Sequence, residues 1–317
     1  MKNNWSVIDC HYLFSKFAAA FLRKENQRGL FIENNTNRAL PFLLDALKAK
    51  GLSENQVDYL IVTHAHLDHA GATGALAALC PNAVVLAHPK AVKTLTDPER
   101  LVSSAKKVYG EDKFLSLYGD IPPVPRDRVR EIQDGETIVW EGIPLKFFHT
   151  EGHASHHLCV WDASTSSVFT GDAFGLCYPA LVGKKPFHIP STSPVDFDYE
   201  KALRTLDLIE ATKAETAYLT HFGPVEQISE RARLLRKHLR AHQDLIEECE
   251  KKNTPDSELE SSLFKELSLY FDRELEACGI QKTQEVRELL SLDLELNAAG
   301  LAVACMRKRK KALCGNT

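Results

Sequence analysis

The sequence predicts an α/β (α+β) protein with a helical tail, on three observations. Short apolar runs rich in β-branched residues, such as Tyr59-Leu60-Ile61-Val62-Thr63 and Thr216-Ala217-Tyr218-Leu219-Thr220, read as buried strands. Amphipathic helical patterns lie between such runs. From about residue 226 onward the pattern is helical only.

Taken in order, Val7-Ile8-Asp9-Cys10-His11-Tyr12 and Gly29-Leu30-Phe31-Ile32-Glu33 are strand-like. Asn37 to Lys50 is an amphipathic helix that stops at Gly51. The strand Tyr59 to Thr63 precedes a small-residue helix, Ala70 to Leu79, and a second buried strand, Ala83 to Ala87. Residues 90 to 120 carry helical patterns around Leu95, Leu101, Val102 and Val108, followed by the stiff connector Ile121-Pro122-Pro123-Val124-Pro125. Two placements are open for this segment: the rim of a functional site, or a peripheral insert. Further strands run through Leu145 to Thr150, Ser167 to Thr170 and Thr216 to Thr220. Glu226 to Glu250 is a helix with Ile228, Leu234, Leu235, Leu239 and Leu245 on its apolar stripe. Thr254-Pro255-Asp256-Ser257 breaks it and caps the next helix, Glu258 to Cys278, which Gly279 ends. Thr283 to Leu290 and Leu294 to Met306 read as two more helices. The expected division is therefore residues 1–225 and an all-helical extension, 226–317.

The chemistry is concentrated where strands end. Thr63-His64-Ala65-His66-Leu67-Asp68-His69 places three imidazoles and a carboxylate on the turn between a strand and a helix. Neutral imidazole suits zinc, iron or manganese, and Asp adds an anionic oxygen for a second cation. Three other strands end in the same kind of residue: Glu151-Gly152-His153, Gly171-Asp172 and His221-Phe222-Gly223. A glycine beside each lets the backbone turn sharply at the strand tip. Among the other histidines, His11, His88, His149, His156 and His188 are expected to be ordinary structural ones. For His157 a structural role and one orienting a ligand are equally open.

His64-x-His66-x-Asp68-His69, Gly152-His153, Thr170-Gly171-Asp172 and His221, in that order, resemble the metallo-β-lactamase-fold superfamily over about residues 6 to 225. The resemblance implies an αββα sandwich with the site along one edge. It implies a first metal held by His64, His66 and His153, a second held by Asp68, His69 and His221, and Asp172 bridging them. The same site type serves many reactions, so the resemblance speaks to the metal centre more than to the substrate. Within the superfamily the chain looks most like stand-alone prokaryotic metallo-hydrolases with a glyoxalase-II- or lactonase-like site.

Two divalent ions roughly 3.5–4 Å apart would generate a bridging hydroxide, since zinc brings the pKa of water from about 15.7 to about 7. The expected activity is hydrolysis of a small ester, thioester, lactone or related bond, with zinc as the first choice of metal. Asp68 would hold the hydroxide and pass a proton to the leaving group. Tyr178, on the Pro- and Gly-punctuated loop Tyr178 to Pro190, is the candidate donor to the oxyanion. No G-x-S-x-G elbow, Walker loop or C-x-x-C pair competes. The alternative is a non-haem iron redox enzyme of the same fold, persulfide dioxygenase-like or di-iron; Glu commonly stands at the His66 position in flavodiiron relatives, which disfavours the di-iron form.

The net charge of −4 gives no electrostatic reason to expect nucleic acid or an anionic membrane as partner. The run Arg307-Lys308-Arg309-Lys310-Lys311 reads as a solvated cationic helix end. The eight cysteines are widely spaced and read as buried thiols of a reducing compartment. No secretory leader and no run of about 20 apolar residues is visible, so the expected location is the cytoplasm. A small-molecule substrate, and a homodimer through the C-terminal helices, complete the expectations.

Overall fold

The computed structural model describes residues 4–181, 183–192 and 196–314, apart from the side chains of residues 108, 109 and 312–314. The side chains of Val108 and Cys314, and Val182 of the loop, thus lie outside the described residues. The chain forms two compact units. One comprises Met1–Thr150, His156–Gly171 and Thr212–Glu226; the other comprises Glu151–Ser155, Asp172–Ala211 and Gln227–Thr317. Compactness therefore does not divide the chain at a single point near 225. Two segments that follow strands, Glu151–Ser155 and Asp172–Ala211, belong with the helical tail.

Among the described residues all twelve strands lie in the first unit, in two six-stranded sheets. The first runs in the order β1 (Trp5–Asp9), β2 (Ala19–Glu25), β3 (Arg28–Ile32), β4 (Val57–Ile61), β5 (Val84–Ala87) and β6 (Val129–Glu131). Its first three strands pair antiparallel and the rest parallel. The second sheet comprises β7 (Thr137–Trp140), β8 (Ile143–Thr150), β9 (His157–Asp162), β10 (Ser167–Gly171), β11 (Thr216–Leu219) and β12 (Gly223–Val225). There only β10 and β11 are parallel. The mixed αββα class expected from the sequence is the class found.

The sheets pack face to face. Phe21, Ile32 and Leu86 of the first meet Phe147, Phe169 and Tyr218 of the second in one buried cluster. Each such side chain contributes about 1.5–3 kcal/mol on leaving water. The opposite face of the first sheet is covered by α1 (Leu40–Ala49) and α3 (Thr73–Leu79), through Leu43, Leu47, Leu76 and Ala77. A buried ion pair between Arg23 on β2 and Asp162 at the end of β9 ties the two sheets, and Trp5 Nε1 donates to the same carboxylate at 2.9 Å. Between β3 and β4 the helix stops as expected, with Gly51 at φ 65°. The short α2 (Leu67–Ala70) follows β4, and α4 (Val92–Thr96), α5 (Glu99–Tyr109) and α6 (Glu111–Tyr118) precede β6.

The second unit contains α7 (Tyr199–Ala211), α8 (Ile228–Lys251), α9 (Leu259–Cys278) and α10 (Gln284–Cys314). Gly279, at φ 71°, ends α9 where the sequence places the stop. The two helices expected over 283–306 are one. Ser291 to Asp293 reads as a polar interruption, but Asp293, Leu294, Asn297, Ala298 and Leu301 form one buried stripe at helical spacing. By length and composition Gln284–Lys311 is apolar enough to cross a bilayer, with a mean hydropathy of 1.5 over its best window. The sequence expectation counted uninterrupted apolar residues and so missed it. Here 56% of that window is buried inside the molecule. Its polar residues Asp293 and Asn297 form hydrogen bonds there, the arrangement of a core helix.

The seven cysteines with described side chains are free thiols. Burial pushes Cys80 and Cys159 up to about 12, so neither is poised as a nucleophile.

Candidate metal centre

In the first unit the histidine-rich turn leaves the end of β4. Thr63 organises it: its hydroxyl donates to the buried Glu33 carboxylate, so its oxygen accepts from His64 Nδ1 at 3.0 Å. His64 Nε2 then carries a lone pair, and it lies 2.9 Å from His66 Nδ1. His66 is the N-cap residue of α2, and Asp68 and His69 fall in that helix's single turn. The backbone of the turn is held from the end of β3. Asn34 and Asn35 donate their N–H groups to His69 O at 3.0 and 3.1 Å, and Asn35 Nδ2 donates to Asp68 O at 2.8 Å.

His221 follows β11. Its Nδ1 donates to Phe17 O at 2.8 Å, which again leaves Nε2 as the lone-pair nitrogen, 3.4 Å from Asp68 Oδ2. Asp68, His69 and His221 present ligand atoms that all lie within 4.8 Å of one another, and so do Glu33, His64 and His69. His64 and His69 are fully buried, whereas the Asp68 side chain is 29% exposed.

The second unit carries the other two sequence-predicted ligands. Gly152, at φ 103°, passes so close to the backbone of Ala202 on α7 that any side chain would collide there. His153 donates from Nδ1 to Ser191 O at 3.2 Å, and its Nε2 is 3.6 Å from Asp172 Oδ2. Ser191 Oγ donates to the same Asp172 oxygen at 3.1 Å.

This chemistry fits divalent metal. In His64, His153 and His221, Nδ1 is committed to an oxygen acceptor, fixing the tautomer that offers Nε2 as a ligand. Imidazole nitrogen and carboxylate oxygen together suit borderline cations such as zinc, iron or manganese.

Of the other histidines, His157 on β9 is fully buried, with Nδ1 2.6 Å from Thr150 Oγ1 and its ring 4.9 Å from that of His64. His156 Nδ1 accepts from Ala65 N at 3.3 Å. The rings of His88 and His149 meet at 4.0 Å, tilted by 43°, and burial, then the charge of His149, pushes His88 down to about 4. Tyr178 is 2% exposed and its hydroxyl donates to Asp293 Oδ1 of α10 at 3.3 Å. The segment 90–125 takes the first of its two open placements: Phe114 and Tyr118 of α6 pack against Leu67, beside the ligand turn.

Sequence reasoning missed Glu33, Ser191 and the Asn34-Asn35 clamp. Glu33 carried a usable signal, because it closes the apolar run Gly29 to Ile32 as the ligands close theirs. Ser191 carried none.

Comparison with known proteins identifies the family and the fold. The model of the Metallo-beta-lactamase superfamily matches residues 29–221. The metallo-beta-lactamase fold-containing protein ST1585 of Sulfurisphaera tokodaii is 28% identical over 209 residues, 63% of this chain and 74% of that protein. Its crystal structure aligns with a TM-score of 0.64 at 21% identity, covering 95% of this chain and 99% of that one. The metallo-beta-lactamase family protein TTHA1429 from Thermus thermophilus aligns with a TM-score of 0.63 at 21% identity, covering 98% of this chain and 94% of that one. These structural likenesses establish the shared fold. With a family match over more than half its length and two mixed sheets carrying clustered His and Asp side chains, the chain belongs to the metallo-beta-lactamase superfamily.

Proposed function

We propose that the protein is a metal-dependent hydrolase of a small ester, thioester, lactone or related bond, working with two divalent ions, zinc foremost. One observation carries the reading: Asp68, His69 and His221 bring their ligand atoms within 4.8 Å of one another at the ends of a strand and a buried helix turn. In this reading His64, His66 and His153 would hold one ion, Asp68, His69 and His221 would hold the other, and Asp172 would serve both. When bound, the ions supply Lewis acidity and bring the pKa of a water from about 15.7 toward 7, so no Ser or Cys nucleophile is required.

The chain's own groups do the rest. Thr63, Phe17 and Ser191 hold three imidazoles in the ligating tautomer before any ion arrives. Asp68, the more exposed carboxylate of the set, is placed to take a proton and hand it to the leaving group.

Elemental analysis of protein purified without added metal tests the reading. The expected result is about two zinc ions per chain. Turnover of a panel of esters, thioesters and lactones should then vanish in His64→Ala and in Asp172→Ala with the fold retained. Undiminished turnover in either variant sinks the assigned site. Iron near one per chain, with dioxygen consumed in the presence of a persulfide, would put the redox alternative in its place.

A further inference from the structure

The C-terminal helix reaches the ligands of the second unit through one side chain. Ser191 sits between His153 and Asp172: its carbonyl accepts from His153 Nδ1 at 3.2 Å and its hydroxyl donates to Asp172 Oδ2 at 3.1 Å. Ser191 itself belongs to no helix or strand. What fixes it is Asn297 of α10, which grips the chain on both sides. Asn297 Nδ2 donates to Pro190 O at 2.9 Å, while Asn297 Oδ1 accepts from Thr192 N at 2.8 Å and from Thr192 Oγ1 at 2.9 Å. Thr192 Oγ1 also lies 3.2 Å from the Asn297 carbonyl. Asn297 is 3% exposed and Thr192 2%. A carboxamide is the side chain that can donate to one neighbour of Ser191 and accept from the other at the same time. Hydrogen bonds of this kind, buried and mutually supporting, are costly to break singly.

We propose that Asn297 is a positioning residue for the metal centre: it clamps Pro190 and Thr192, and thereby sets Ser191 to orient His153 and Asp172. The proposal rests on the reading above that these two residues are ligands. It gives α10, a helix with no chemical motif of its own, a defined part in metal binding.

The test is zinc affinity of the full-length protein, measured by competition with a chromophoric chelator, for wild type and for Asn297→Ala, Ser191→Ala, Asp172→Ala and Leu289→Ala. Partners that orient ligands typically change metal affinity 10–100-fold. The expected result is a loss of about that size for Asn297→Ala, and a measurable but smaller loss for Ser191→Ala, whose backbone carbonyl remains. Leu289, 8% exposed on the same helix, is the control for general loosening of α10. Leu289→Ala should lower the melting temperature and leave affinity unchanged. The absorption spectrum of the cobalt(II)-loaded protein should change in Asn297→Ala and not in Leu289→Ala. Wild-type affinity in Asn297→Ala, or equal losses in Asn297→Ala and Leu289→Ala, overturns the proposal. If Asn297→Ala fails to fold, Ser191→Ala decides, and wild-type affinity there overturns it. If Asp172→Ala itself binds zinc as the wild type does, the ligand reading fails, and that outcome is distinguishable from failure of the clamp.

Discussion

Replacing His242 by leucine should make the helical unit resistant to mild acid. His242 lies on α8, fully buried, its ring 5.9 Å from Phe271 of α9, and among the described residues neither ring nitrogen has a hydrogen-bond partner. One turn earlier, His238 is equally buried, with Nδ1 2.8 Å from the Tyr270 hydroxyl. Burial, then the neighbouring His238, pushes His242 down to about 3. Burial pushes His238 down to about 4, against the charge of Glu274 and with that of Lys237. Both are neutral in the fold, while in the unfolded chain they take up protons below about 6.5. The unfolded state therefore binds more protons, and stability that is complete above about pH 6.5 falls as the pH drops, for His242 down to about 3. Each group costs up to about 1.4 kcal/mol per pH unit, so the pair removes about 3–4 kcal/mol between pH 6.5 and pH 5. That is a large part of a domain's usual 5–15 kcal/mol.

His242→Leu should recover about half of this loss. It should be neutral or stabilising at pH 7, because a buried N–H without a partner, itself worth about 1–3 kcal/mol, disappears. Urea unfolding followed by far-ultraviolet circular dichroism at pH 7 and pH 5 reads the effect. All three tryptophans, Trp5, Trp140 and Trp161, lie in the sheet-bearing unit, so their fluorescence provides an internal reference. An identical pH 7 to pH 5 difference in wild type and variant would refute the reasoning.

Other perturbations follow from the same geometry. Arg23→Met leaves Asp162 as a buried, uncompensated charge and should cost about 3–5 kcal/mol, read by tryptophan fluorescence in urea. Asp162 is held below the ordinary carboxylate range because hydrogen bonds from Ser164, Trp5 and Thr165 and the charge of Arg23 outweigh burial; its share of stability is present at neutral pH and should be lost as the pH falls through that lowered value. Glu33→Ala removes the acceptor to which the Thr63 hydroxyl donates, and with it the constraint on the His64 tautomer, and should weaken zinc binding about 10–100-fold in chelator competition. Gly152→Ala adds a side chain at φ 103° against the Ala202 backbone, and should destabilise by at least about 1–3 kcal/mol in thermal melts.

Some of this molecule was legible because chemistry leaves few choices. A residue meant to ligate must be His, Asp, Glu or Cys, so His64, Asp172 and His221 stand out at the ends of apolar runs. The residues that aim them have no such signature. Ser191 acts partly through its carbonyl, which every residue owns, and Asn297 is 106 positions away from it in sequence. The setting of Tyr178 was not legible because a tyrosine on a loop near a ligand is compatible with many partners, and a partner such as Asp293 is fixed only by tertiary packing. The split of α10 into two helices failed for a related reason. Asp293 and Asn297 look like surface residues until the loop that accepts them is in place.

The interleaving of the two units bears on how this gene could be edited or could have evolved. On the linear map the last ninety or so residues look like a detachable appendix. In the folded chain they share a unit with Glu151–Ser155 and Asp172–Ala211, which carry His153 and Asp172. A truncation, fusion or tail exchange made at residue 226 would not be a clean splice: it would strip the supports from two expected ligands while leaving the sheets that hold the others. Relatives that differ in their tails should therefore differ, in step, in the loop around Ser191.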